Sequence, residues 1–109
     1  MKKELFLLRA QVAKALAHPL RLEIIEALQP GEEKCVCDLV AELGYAQPVI
    51  SKHLAVLKNS GLISARREGT KTFYKLQTPC VKEFLACIDG ILKQELEARQ
   101  KELSKLISL

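Results

Sequence analysis

Several things are scarce in this chain, and each scarcity removes a class of function. No apolar run is long enough to cross a bilayer, so a membrane-spanning role is not expected. The Met-Lys-Lys start lacks the apolar core of a signal peptide, which makes the cytoplasm the expected location. No glycine-rich loop of the kind that cradles phosphate is present. Histidine occurs only at positions 18 and 53, and His18 has no second ligand at helical spacing, so it reads as a turn or capping residue. A length of 109 residues suits one domain with one modest core, expected to span 1–109.

The most telling scarcity is local. Residues 44–79 contain one acid, Glu68, against six lysines and arginines. The flanking segments 1–43 and 80–109 are nearly balanced, so the overall charge of +4 comes from this middle stretch. A local excess of cations is what a polyanion-binding face requires. Within it, Ala46 to Asn59 reads as a helix closed by Ser60-Gly61. Ile50, Leu54 and Leu57 form one apolar stripe at 100° per residue. Opposite them lie Pro48, Ser51, Lys52, Ala55 and Asn59, a small, polar and basic face. Small side chains let such a helix enter a DNA groove, and Ser, Lys and Asn reach phosphates and base edges.

The rest of the chain arranges itself around that helix. Residues 4–16 form a first helix, ended by His18-Pro19, and Pro19 opens a second helix over about 19–29 with Leu20, Ile24, Ala27 and Leu28 inward. After the turn at 30–33, Lys34 to Leu43 reads as a short third helix stopped by Gly44. Helix, tight turn and basic helix make a helix-turn-helix. Leu62 to Arg67 and Thr72 to Gln77 alternate as two strands joined at Glu68-Gly69-Thr70-Lys71. With Arg66, Arg67 and Lys71 near its tip, this hairpin reads as a wing that meets phosphates or the minor groove. The last stretch, about 80–107, is a long apolar helix with more surface than one small domain covers. Its surplus face and that of the first helix (4–16) predict a homodimer. The expected fold is therefore mainly α with a small β-hairpin, a winged helix-turn-helix with reader and wing in 44–79. Among these residues, Gln47 and Ser51 are candidates for base contact and Lys52 for phosphate or guanine. His53 sits at the border of the buried stripe, where a DNA contact and a structural role are both open.

The runs LAHPLRLEIIEAL and CVCDLVAELGYAQPVISKHLAVLKNSGLISARREGTKTFYKL resemble the ArsR/SmtB family of winged-helix metalloregulatory repressors, over about 16–76. The CVCDL segment is similar to the arsenic-sensing branch. The resemblance implies a dimer that blocks a promoter, with no resident cofactor, and leaves its operator when a thiophilic ion binds. Two positions depart from the pattern: Val40 stands where a third cysteine often follows, and Ala46 where a serine usually caps the reader helix. The positions matching the family's zinc site on the last helix are Thr78, Cys80, Ile91 and Gln94, which lack its ligand set.

Four cysteines in a reducing compartment are expected as thiols or metal ligands rather than disulfides. Thiolates at Cys35 and Cys37 favour As(III), Sb(III), Cd(II) or Cu(I) over hard ions, with As(III) or Sb(III) the inducer that the resemblance implies. On a regular helix two positions apart are about 200° apart, so gripping one ion is expected to distort the start of the third helix. Cys80 or Cys87 is a candidate third ligand, glutathione another, and both cysteines also fit core or interface positions. The same thiols fit a redox-switched repressor or one sensing Cd, Zn or Cu, and a repressor of this fold with no inducer site is a further alternative. An enzyme built on them would need a proton-transfer partner and a substrate-positioning loop, and the sequence offers neither.

Overall fold

The elements run α1 (Lys2–Leu16), α2 (Pro19–Ala27), β1 (Lys34–Cys35), α3 (Val36–Leu43), α4 (Gln47–Asn59), β2 (Ile63–Glu68), β3 (Lys71–Leu76) and α5 (Val81–Ile107) in a computed structural model that describes residues 2–108. The chain divides into two compact units: the first ends at Pro79, and the second, which is α5 and its flanks, starts at Cys80. This is the expected winged helix-turn-helix, with one addition. The sheet has three strands in the order β1-β3-β2, all antiparallel, so the wing is extended by a strand that the sequence did not announce.

Local chemistry accounts for the breaks. His18 caps α2, its Nδ1 accepting the Leu20 amide proton at 3.1 Å, and Pro19 follows at the first helical position. The helix stops at Ala27, so Leu28 is placed by extended backbone and is buried, while Ala27 is only half-buried; Ile25 takes the inward place beside Ile24. Gly44 ends α3 in the left-handed conformation at φ 78°, a geometry that costs other residues free energy. The three-residue turn 44–46 then swings the chain into α4.

The core of the first unit is aliphatic. Ile24 and Ile25 from α2, Leu28 just after it, Leu39 from α3, and Ile50, Leu54 and Leu57 from α4 are completely shielded from solvent. Burying such a side chain contributes about 1.5–3 kcal/mol each. The stripe Ile50/Leu54/Leu57 thus glues the reader helix to α2 and α3, with which it packs, and leaves its opposite face free. The hairpin register pairs Ile63 with Leu76 at the base and Glu68 with Lys71 at the tip. Both base residues are buried.

α5 is 27 residues long, about 40 Å of helix, and carries a different kind of surface. Phe84, Ile88, Ile91, Leu92, Leu96, Leu103, Leu106 and Ile107 are all substantially exposed. On α1, Leu5, Phe6, Leu7, Leu8 and Val12 are exposed as well. Contiguous apolar stripes of this kind mark association surfaces. Among the described residues no helix is long and apolar enough to cross a membrane.

Candidate metalloid and DNA interface

The short strand β1 decides where the thiols lie. Lys34 pairs with Tyr74 and Cys35 with Phe73 on β3, so Cys35 belongs to the sheet and not to a helix. Its backbone is extended, at φ −81° and ψ 167°, and it serves as the cap of α3. Its Sγ accepts the Asp38 amide proton at 3.3 Å, while its own amide donates to Asp38 Oδ2 at 3.1 Å. This reciprocal arrangement satisfies two backbone donors at the helix start.

The expected 200° separation of Cys35 and Cys37 is therefore corrected. Only Cys37 is helical, and the extended backbone of Cys35 turns the two side chains towards each other, with their Cα atoms 5.3 Å apart. The sulfurs are joined as a disulfide in the structure, where free thiols were expected. The two side chains thus meet at the first turn of α3 with that helix intact. Ligand atoms of Cys35, Cys37 and Asp38 all lie within 4.8 Å of one another, the first buried and the other two exposed. Cys80 and Cys87 lie at the start and in the second turn of α5, exposed and unbonded to other sulfurs.

A cleft of about 360 Å³ opens beside the thiol pair. It is lined by Cys35, Val36 and Cys37, by Gln47 and Ser51 of α4, and by Thr70, Lys71, Thr72 and Tyr74 of the wing. Sequence spacing offered no signal for this juxtaposition, because it depends on β1 joining β3.

The residues singled out for DNA contact do not all stand alike. Gln47, Pro48 and Lys52 are exposed on the outer face of α4, and Ser51 is half-buried there. Ala46 makes no side-chain cap, in keeping with the missing serine. Arg67 and Lys71 are exposed on the wing. Arg66 is engaged: its Nε donates to Glu33 at 2.6 Å, its guanidinium to Glu68 at 2.8 Å, and it lies over the Phe73 ring at 5.1 Å. These partners, Glu33 foremost, hold its pKa above the usual arginine value. Much of its charge is thus offset within the protein. Lys34, similarly, is tied to Glu42 and Glu32, and its pKa is raised mainly by the Glu42 contact.

His53 faces inward. It is 7% exposed, and its Nδ1 accepts a hydrogen bond from Arg21 Nε at 3.1 Å. The His18 ring stands 4.3 Å away, and Arg21 also donates to the Lys14 and Ala15 carbonyls that end α1. Of the two roles open to His53, this geometry favours the structural one, a knot joining α1, α2 and α4. Burial lowers its pKa below the usual histidine value, helped by the His18, Arg21 and Lys52 charges. The unfolded chain therefore binds this proton first as pH falls. Stability attributable to His53 is present above about pH 6.5 and is lost progressively below it. Thermal melts from pH 7.5 to 5.5 should show a falling midpoint, and His53→Gln, which retains an acceptor for Arg21 but does not titrate, should flatten that fall. Equal slopes for both proteins would remove His53 as the cause.

Comparison with known proteins agrees with this geometry. Residues 18–65 match the family described as bacterial regulatory protein, arsR family. A helix-turn-helix transcriptional regulator of Methanocaldococcus jannaschii is 41% identical over 82 residues, covering 75% of this chain and 92% of that protein. The arsenical resistance operon repressor of Escherichia coli is 46% identical over 71 residues, 65% of this chain and 61% of that protein. The homodimeric winged helix-turn-helix DNA-binding domain of a Mycobacterium bovis protein superposes with a TM-score of 0.73 at 33% identity, covering 89% of each chain. A reader helix with a free polar face, a wing beside it and these likenesses together establish that the chain belongs to the arsR family of bacterial regulatory proteins and is a DNA-binding transcriptional regulator, not an enzyme.

Proposed function

We propose that this protein is a homodimeric repressor that leaves its operator when Cys35 and Cys37 capture trivalent arsenic or antimony. The observation that carries the reading is the convergence of two thiol side chains at the start of α3, beside the first turns of the reader helix. Soft thiolates select soft ions, and the pair is placed where a bound ion sits next to the DNA-reading face. The Escherichia coli relative, an arsenical resistance repressor by name, supports the same ligand class. The third position on the ion is then filled by water, by a small thiol such as glutathione, or by Cys80 or Cys87. Dimerisation through the apolar stripes of α1 and α5 presents two reader helices to a symmetric site.

Operator binding followed under a phosphine reductant tests the proposal, since a dithiol would itself chelate arsenite. Arsenite or antimonite should release the DNA at concentrations where zinc does not. No release by arsenite at saturation would overturn it. A second reading rests on the disulfide: the pair would then respond to oxidation. Peroxide releasing the DNA while arsenite does not would favour that alternative.

The DNA contacts carry their own expected result. Gln47, Ser51, Lys52, Arg67 and Lys71 are the reading and phosphate-binding set, with Pro48 lining the approach, while Arg66 contributes less because Glu33 and Glu68 hold it. Lys52→Ala should weaken operator binding and reduce the slope of log affinity against log salt by about one unit, as loss of one phosphate contact does. Gln47→Ala and Ser51→Ala should instead relax sequence preference. Titrations at several salt concentrations on cognate and scrambled duplexes separate the two. Unchanged operator affinity in all three variants would mean that another surface reads the DNA.

A further inference from the structure

The cleft beside the thiols bears on how release occurs. An induction mechanism based on strain would require α3 to unwind so that Cys35 and Cys37 face one another. That requirement is absent here, because Cys35 is held in the ladder with β3 and its side chain meets Cys37 with α3 intact. The same sheet that carries Cys35 carries the wing tip, and the same cleft is walled by Gln47 and Ser51 from the reader helix. The amide of Gln47, the hydroxyls of Ser51 and Thr70, and the exposed ammonium of Lys71 are groups that bind a DNA phosphate or sugar. One small volume therefore holds both the metalloid ligands and DNA-contacting groups.

We propose that inducer and operator DNA compete directly for this cleft, so that an ion held by the thiols blocks the neighbouring DNA-contacting groups in place and does not act from a remote allosteric site. The inference rests on the reading of Cys35 and Cys37 as the metalloid ligands. Capture from arsenous acid breaks two As–O bonds and forms two As–S bonds. The two thiol protons leave with the two hydroxyls as water, and arsenic stays trivalent. An ion held by the two sulfurs would occupy the cleft they line, beside the groups that would hold a backbone phosphate. Exclusion follows from occupancy alone, without a second conformation of α3.

The two mechanisms differ in kinetics. In direct competition, arsenic binds only after DNA has left. In an allosteric mechanism it binds the complex and hastens departure. The reduced full-length protein, preloaded with fluorescent operator, is mixed with excess unlabelled operator and a rising series of arsenite concentrations. The expected release rate constant equals the spontaneous dissociation rate and stays flat across the series. In parallel, iodoacetamide labelling mapped by mass spectrometry should show Cys37 protected in the DNA complex and Cys80 labelled as in free protein. A release rate that climbs with arsenite, or full labelling of Cys37 on DNA, overturns direct competition while leaving the metalloid reading standing. Failure of arsenite to release DNA at equilibrium overturns both.

Discussion

Cys35→Ser and Cys37→Ser are each expected to abolish release by arsenite while leaving operator affinity nearly unchanged. The argument has two parts. A serine hydroxyl is close in size to the thiol, and at position 35 it remains a good cap, able to accept the Asp38 amide proton that Cys35 Sγ now accepts. The start of α3 and the packing of α4 on it should therefore survive. A hydroxyl is nevertheless a poor ligand for a soft ion, and one remaining thiolate forms only one As–S bond. Fluorescence anisotropy of labelled operator, titrated with arsenite, reads both properties in one experiment. Cys80→Ser and Cys87→Ser serve as the comparison. If one of them weakens induction, it supplies the third ligand; if neither does, two protein thiolates suffice. Release of DNA by the Cys35 and Cys37 variants at the wild-type arsenite concentration would make the pair structural.

Loss of operator binding is expected when Ile88 and Leu92 are both changed to Glu. Both side chains are exposed on the described chain, at 37% and 55%, on the apolar stripe of α5. If that stripe is the dimer interface, two carboxylates would be buried in each protomer without partners, at a cost of several kcal/mol. Sedimentation should show monomers with near-native helicity, because neither position belongs to the core of the first unit. Operator binding should fall with the dimer, since one reader helix alone engages one half-site. A folded dimer carrying both substitutions would show that the stripe packs against something else.

What was legible in the sequence was whatever repeats along the chain or breaks it locally. The period of 3.6 placed α1, α2, α4 and α5, and the stripe Ile50/Leu54/Leu57 is buried as that period requires. His18-Pro19 and Gly44 marked real boundaries because capping and left-handed backbone are decided within a few residues. The wing followed from alternation and its turn, and the crowding of cations in 44–79 pointed to DNA without any knowledge of packing.

The tertiary structure decided what depends on partners distant in sequence. Two residues, Lys34 and Cys35, are too few to show any period, so their pairing with β3 was invisible until β3 stood beside them. That pairing moved Cys35 out of the helix, turned a diverging pair of cysteines into a converging one, and opened the cleft shared with Gln47, Ser51 and Lys71. Charge behaved in the same way. Arg66 and His53 belong to the basic stretch by position, yet Glu33 lies 33 residues from the one and Arg21 lies 32 residues from the other. A cation's type and neighbours show that it is available to bind DNA; only the folded chain shows which carboxylate or ring has already engaged it, because electrostatic and hydrogen-bond energies depend on distance in space rather than along the chain.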